Sequence, residues 1–228
     1  MSASSPSSEE QKCDILTIKS FINARSPSTG LQLSTPQLCS EILIVLMAGA
    51  DNTTSAICTT LFHLISSPSA LSRVLEEVET ATSAGKISSV PQHSEILQWC
   101  PFYIACVKES LRLNPSLPSF LPRYSEEGLV INNIPIPAGT EIASNPWITG
   151  RDPEIYGDDV EEWKPERWLD VKRARVMEKY SFVFGYGSRP CLGAKMGWLS
   201  ACKVPLMVSL LILLLIHLTS FVDTKKSH

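Results

Sequence analysis

One cysteine in this chain stands where a thiolate could be made and used. Cys191 lies in Phe184-Gly185-Tyr186-Gly187-Ser188-Arg189-Pro190-Cys191-Leu192-Gly193, a glycine-punctuated turn that runs into an apolar, helix-like segment. Gly185 and Gly187 let the backbone take positive φ and approach a flat group closely. A cysteine at the start of a helix has its thiolate favoured by the helix dipole and by free backbone N–H groups, which suits it to ligate a metal. Arg189 supplies a fixed fork for a carboxylate, and Gly193 lets the new helix pass close to a planar group. The bland alternative is a buried cysteine beside a glycine turn. The whole arrangement suits a haem iron held from below by a thiolate.

The spacing Phe-x-x-Gly-x-Arg-x-Cys-x-Gly resembles the haem-binding signature of the cytochrome P-450 family in full. With ordinary residue frequencies its five fixed positions coincide by chance roughly once in tens of thousands of such chains. The resemblance implies haem b as cofactor, with Cys191 as the axial metal ligand and Phe184, Gly185, Arg189 and Gly193 around it. It also implies that Arg123, after a Leu-Pro step, joins Arg189 in neutralising the two-carboxylate edge of the haem. Leu117, Ser119, Phe120 and Leu121 then fall on the substrate side, and their apolar character favours a lipophilic substrate.

Upstream, Ala48-Gly49-Ala50-Asp51-Asn52-Thr53-Thr54 interrupts a long apolar helix with residues that are locally unfavourable there. A polar interruption on a buried helix is the plain reading. The run also resembles the family's Ala-Gly-x-Asp-Thr-Thr motif, which implies a kinked turn over the O2 side of the haem with an acid and a hydroxyl relaying protons. Asn52 stands where the family usually has its threonine. Either Asn52 replaces the hydroxyl beside Asp51, or Thr53 takes that role through a one-residue helix adjustment, the preferred reading.

Glu109 and Arg112 are three apart in an otherwise apolar helix, where unpaired charge would be costly. Their spacing resembles the family's Glu-x-x-Arg. Arg167, in Pro165-Glu166-Arg167-Trp168, is the third member of the ion-pair network that the resemblance implies. That network supports the cysteine loop and performs no chemistry.

The elements that must position these residues follow from pattern. Residues 1–11 read as a disordered cap, and Cys13 to Ala24 has helical spacing. A helix starts at Leu33-Ser34-Thr35-Pro36, with Ser34 or Thr35 as N-cap, and runs to Ile65. Ser67-Pro68 opens a second helix whose apolar stripe is Leu71, Val74, Leu75 and Val78, closed by Gly85. A polar linker leads to a third helix, Pro101 to Leu113. Short strands follow, with Asn132-Asn133 as a hairpin turn and Pro137-Ala138-Gly139 as another. Residues 151–180 read as a charged, irregular meander. The fold expected is mainly α with a small β region, the C-terminal half of the cytochrome P-450 fold.

The chain has 228 residues, 44% hydrophobic and 19% charged, with a net charge of −3, enough for one domain with a real core. The slightly acidic balance gives no reason to expect nucleic acid. Its seven cysteines are scattered without a C-x-x-C pair, which argues against a zinc site or disulfide framework and fits a reducing compartment. No internal repeat and no N-terminal signal peptide or anchor is visible.

Ala194 to Lys203 continues as an amphipathic helix, and the chain then turns uncharged from Val204 to Val222. That run is near the length of a membrane span. It reads as a C-terminal membrane anchor, or as a product of intron read-through after Lys203. Three divisions are therefore expected: the cap to residue 11, a partial cytochrome P-450 domain over 12–203, and an apolar tail over 204–228. The family's N-terminal half has no counterpart. The phrases GTEIASNPWITGRDPEIYGDD and KPERW resemble fungal members that decorate secondary metabolites. The resemblance implies a monooxygenase at the cytosolic face of the endoplasmic reticulum membrane, taking electrons from a NADPH-dependent reductase and oxidising a lipophilic molecule with O2. The alternative is a truncated, inactive remnant or a membrane-tethered partner protein.

Overall fold

The computed structural model describes residues 19–119 and 122–226, with side chains described as far as Ile212. The expected cap, Cys13 to Ile18, Phe120 and Leu121 lie outside the described residues. The chain divides into two compact units, Met1–Ala50 and Asp51–His228.

In the first unit a helical turn at residues 19–22 leads into a narrow loop closed by the Arg25–Gln32 bridge. Gln32 Nε2 donates to the Ile22 carbonyl at 2.7 Å. Helix α1 then begins at Thr35 and runs to Ser66. Ser34 precedes it, and the Gln37 side chain folds back to accept from both the Ser34 N–H and its hydroxyl. The helix stays α-helical through Ala48–Thr54, without the 3-10 or π turn that a one-residue adjustment would need. The long apolar sequences on both sides hold it, because propagation is cooperative and outweighs the cost of Gly49 and Asp51.

In the second unit, α2 (Pro68–Ser83) buries Val74, Val78 and Ala81, and Gly85 at φ +65° follows it. The expected linker contains a short helix, α3 (His93–Trp99), which a pattern with one buried apolar residue, Ile96, did not reveal. A capping box of Gln92 and Glu95 supports it locally. Helix α4 (Pro101–Leu113) is buried from Phe102 to Leu113 except at Lys108. Its first two free N–H groups, on Phe102 and Tyr103, donate to the Glu77 carboxylate of α2 at 2.9 Å each. Burial pushes the Glu77 carboxyl above its ordinary range, against those two hydrogen bonds and the charge of Arg73.

Two small antiparallel sheets follow, β1 (Arg123–Tyr124) with β4 (Glu141–Ile142) and β2 (Leu129–Ile131) with β3 (Ile134–Ile136). Asn132 and Asn133 take φ of 50° and 65° between β2 and β3, as a two-residue hairpin turn requires.

Residues 151–180, expected to be irregular, carry helix instead, and one more turn precedes them. Short turns α5 (Pro146–Thr149) and α6 (Pro153–Tyr156) are capped by Asn145 and Asp152. A 3-10 turn spans Pro165–Trp168, and α7 spans Val171–Lys179. Asp170 caps α7 by accepting from the Lys172 and Arg173 N–H groups. Its charged surface hides an inward stripe of Ala174 and Met177.

The last helix, α8 (Ala194–Lys226), is one helix through Pro205. Ala201, Cys202, Leu206 and Ser209 are buried, and Leu206 belongs to the main core with Leu64, Val74, Ile96, Tyr103 and Val107. The start of the apolar run is therefore core. Beyond Leu210 about a dozen uncharged residues remain, or about 18 Å of helix. That is short of the roughly 30 Å of a bilayer core. By length and composition alone, α1 and the Ala194–Ile212 part of α8 each could cross a membrane.

Candidate functional site

Phe184 to Gly193 forms a tight loop at the head of α8. Gly185 and Gly187 both take positive φ, at 72° and 78°, as the glycine pattern predicts. The loop is closed where the Cys191 N–H donates to the Phe184 carbonyl at 2.7 Å, and the Ala194 N–H to the Cys191 carbonyl at 3.2 Å. Cys191 is a free, exposed thiol. Tyr186, Leu192 and Met196 are exposed beside it, with Leu192 at 102%. A Cβ on Gly193 would find only the Cys191 sulfur, at 4.0 Å.

Phe184 turns inward. A Cβ on Gly197, one turn into α8, would lie 3.3 Å from its ring, so Gly197 lets α8 seat against Phe184. Sequence reading missed Gly197, although it stands four residues after Gly193, on the same helical face. Phe184 and Gly185 also line a cavity of about 390 Å³ with Leu111, Trp168 and Trp198.

Arg123, in β1, and Arg189 lie side by side: Arg123 Nη2 donates to the Arg189 carbonyl at 3.4 Å. Two cationic residues thus adjoin the face that carries the exposed thiol. An exposed thiol, exposed apolar neighbours and two arginines close in the fold are a donor set that fits a haem with its two propionates.

The buried network behind this loop is complete. Glu109, with no exposed surface, accepts from Arg112 Nε and Nη2 at 2.8 Å each and from Arg167 Nε at 2.8 Å. The Lys164 N–H and Trp168 Nε1 donate to the same carboxylate at 2.9 and 2.8 Å. Burial opposes ionisation of Glu109, but the Arg112 hydrogen bond and charge, the Lys164 N–H and Arg167 hold its carboxyl below the ordinary range. Arg112 reaches onward to the carbonyls of Gly150, Val160 and Glu162, and Arg167 to those of Tyr156 and Asp159. The Asp159 carboxylate, bonded to Lys164 and Arg167, is held far below its ordinary range. Trp168 and Asp159 were not singled out from sequence. A tryptophan directly after the arginine was the available signal for the first.

Asp51, Asn52 and Thr53 sit in the regular part of α1, Asp51 exposed and the other two half-buried. With the helix unadjusted, Asn52 directly follows Asp51, and burial does not distinguish it from Thr53. Leu117 and Ser119 are exposed on the strand-side segment before β1.

The described residues thus form a mainly helical protein with a cysteine turn at the head of a long helix and a buried Glu–Arg–Arg network. The sequence model described as Cytochrome P450 matches residues 3–211. The chain belongs to the cytochrome P450 family. It is similar to quiannulatic acid synthase of Emericella variicolor, 36% identical over 75% of this chain and 34% of the relative. It is likewise 36% identical to the cytochrome P450 monooxygenase cicH of Emericella nidulans, over 70% of this chain and 32% of the relative. A cytochrome P450 monooxygenase of Alternaria alternata is 29% identical over 89% of this chain and 53% of its own length. The chain thus spans about a third to a half of these relatives.

Proposed function

We propose that this chain carries the thiolate-ligand part of a haem-dependent monooxygenase that oxidises a lipophilic small molecule in a fungal secondary-metabolite tailoring step. The observation that carries the reading is the exposed Cys191 thiol in a closed loop, with its N–H tied to Phe184. When bound, haem supplies the redox centre at which O2 is activated, with electrons from a NADPH-dependent reductase. Cys191 would hold it and supply electron density from its thiolate, with Gly185 and Gly193 in the same loop. Arg123 and Arg189 neutralise its carboxylates. Asp51, with Asn52 or Thr53, would hold and move protons for the reaction. Glu109, Arg112 and Arg167 keep the frame under the loop. The relatives' names, one an acid synthase, support secondary metabolism. The family supports placement at the endoplasmic reticulum membrane, facing the cytosol.

A second reading, a chain that retains the motifs without turnover, is favoured by α1. Its residues Ile42 to Met47 are all exposed, and a helix apolar on every side normally lies inside a larger body or a bilayer. One experiment separates the two. The reduced, CO-treated difference spectrum of the haem-supplied chain should show a thiolate-type Soret band that Cys191→Ala abolishes. A non-thiolate band, or no bound haem, establishes the second reading.

A further inference from the structure

Tyr103 is fully buried in the middle of the core, yet it carries a hydroxyl. That hydroxyl donates to the Cys202 carbonyl of α8 at 2.6 Å. In a regular helix that carbonyl is the partner of the Leu206 N–H, so the hydroxyl reaches the backbone ladder of α8 itself. Pro205 lies between them. It has no N–H for the Ala201 carbonyl, and its ring crowds that carbonyl, so the ladder of α8 is weak at this point. A side-chain hydroxyl bonded to the next carbonyl along, that of Cys202, holds the helix beside this weak point.

The tyrosine is itself held. Its backbone N–H and that of Phe102 are capped by Glu77. Six and nine residues on, Glu109 and Arg112 fix the same helix to the 3-10 turn. Helix α4 therefore has no freedom to follow α8. At its other end α8 begins directly after the Cys191 turn, where Gly197 seats against Phe184.

We propose that Tyr103 is a positioning residue: its hydroxyl, set into α8 at Pro205, fixes that helix against α4 and so holds the Cys191 turn at the helix head. The proposal rests on Cys191 as the functional residue, but its first test needs no haem. In Tyr103→Phe, amide hydrogen exchange should rise about tenfold at Leu206, as expected for one lost buried hydrogen bond. It should also rise at the Cys191 N–H, whose bond to Phe184 closes the loop. Tyr156→Phe is the control, an equally buried tyrosine whose hydroxyl donates to Met177 in α7. Unchanged exchange at Cys191 overturns the proposal, as does an equal rise in the control.

Pro205→Ala is the second variant. It restores the missing N–H, so Tyr103→Phe in that background should raise Cys191 exchange less than in the native chain. Equal effects in both backgrounds overturn the idea. In the haem-supplied chain, Tyr103→Phe should move part of the reduced CO spectrum to the non-thiolate form. A native chain that takes up no haem rejects the ligand reading and leaves the exchange result to decide on Tyr103.

Discussion

Replacing Glu109 by glutamine removes one charge from a site where five donors converge. On Oε2 the chain aims Arg112 Nε and Trp168 Nε1, and on Oε1 it aims Arg112 Nη2, Arg167 Nε and the Lys164 N–H. An amide can accept on one side only. Its NH2 must then face two or three donors, and two buried guanidinium groups lose their shared counter-charge. Removing one partner of a buried pair costs about 3–5 kcal/mol, a large share of a domain's stability. At about 2–4 °C per kcal/mol for a chain of this size, the melting temperature should fall by about 6–20 °C. Urea unfolding followed by tryptophan fluorescence reads the loss directly. Glu166→Gln is the matched control. Its pair with Arg73 at 3.0 Å is about half exposed on both sides, so its loss should cost less than about 1 kcal/mol. The effect should also depend on pH. The Glu109 carboxyl is depressed below its ordinary 4.5, so its contribution is present above that value and lost as pH falls through the lower folded-state value. The gap between native chain and Glu109→Gln should therefore close in acid. If Glu109→Gln costs no more than Glu166→Gln at neutral pH, the network is not what braces α4.

Three further outcomes follow from other contacts. Gly150→Ala would place a Cβ 2.6 Å from the Arg112 carbonyl, a backbone atom that cannot step aside, so stability measured by urea should fall by about 1–3 kcal/mol. Gly197→Ala brings a methyl 3.3 Å from the Phe184 ring, which can shift only by moving the cysteine loop. Haem uptake of the supplied chain should drop while α-helical content by circular dichroism stays constant. In a Cys13→Ser background, Cys39, Cys58 and Cys191 should react with a thiol reagent in the folded state, whereas Cys100, Cys106 and Cys202 should react only on unfolding. Burial pushes the Cys100 and Cys202 thiols up to about 12 and Cys106 higher still, so little reactive thiolate forms there at neutral pH.

Residues whose partners are near in sequence, or whose backbone geometry is demanding, were legible from the chain alone. Gly185, Gly187, Asn132 and Asn133 announce positive φ by residue type, and Glu109 with Arg112 announces a shared helix face. Helix α4 was legible to both its ends because Pro101 opens it and the apolar run is dense. Helices α3 and α7 were not, because few of their residues face inward and capping by Gln92, Glu95 and Asp170 supplies much of their local support. Tyr103 and Glu77 escaped for a different reason. Their partners lie 99 and 25 residues away, and a tyrosine inside an apolar helix reads as packing until its hydroxyl is traced.

The run from Val204 to Val222 shows how far composition can mislead. Uncharged throughout, it has the length of a membrane span, yet its first turns complete the core that carries the cysteine loop. Leu206 is fully buried among Ile96, Tyr103 and Val107, and Ser209 returns its hydroxyl to the Pro205 carbonyl at 2.9 Å. A bilayer would have to strip those residues from a packed interior, exchanging protein contacts for lipid at no gain in apolar burial. The polar join between Tyr103 and Cys202 would then be opened in hydrocarbon, where an unpaired carbonyl is costly. Continuity with the Cys191 turn thus assigns the first part of the run to the fold, and only the segment past Leu210 is left for any outside apolar surface.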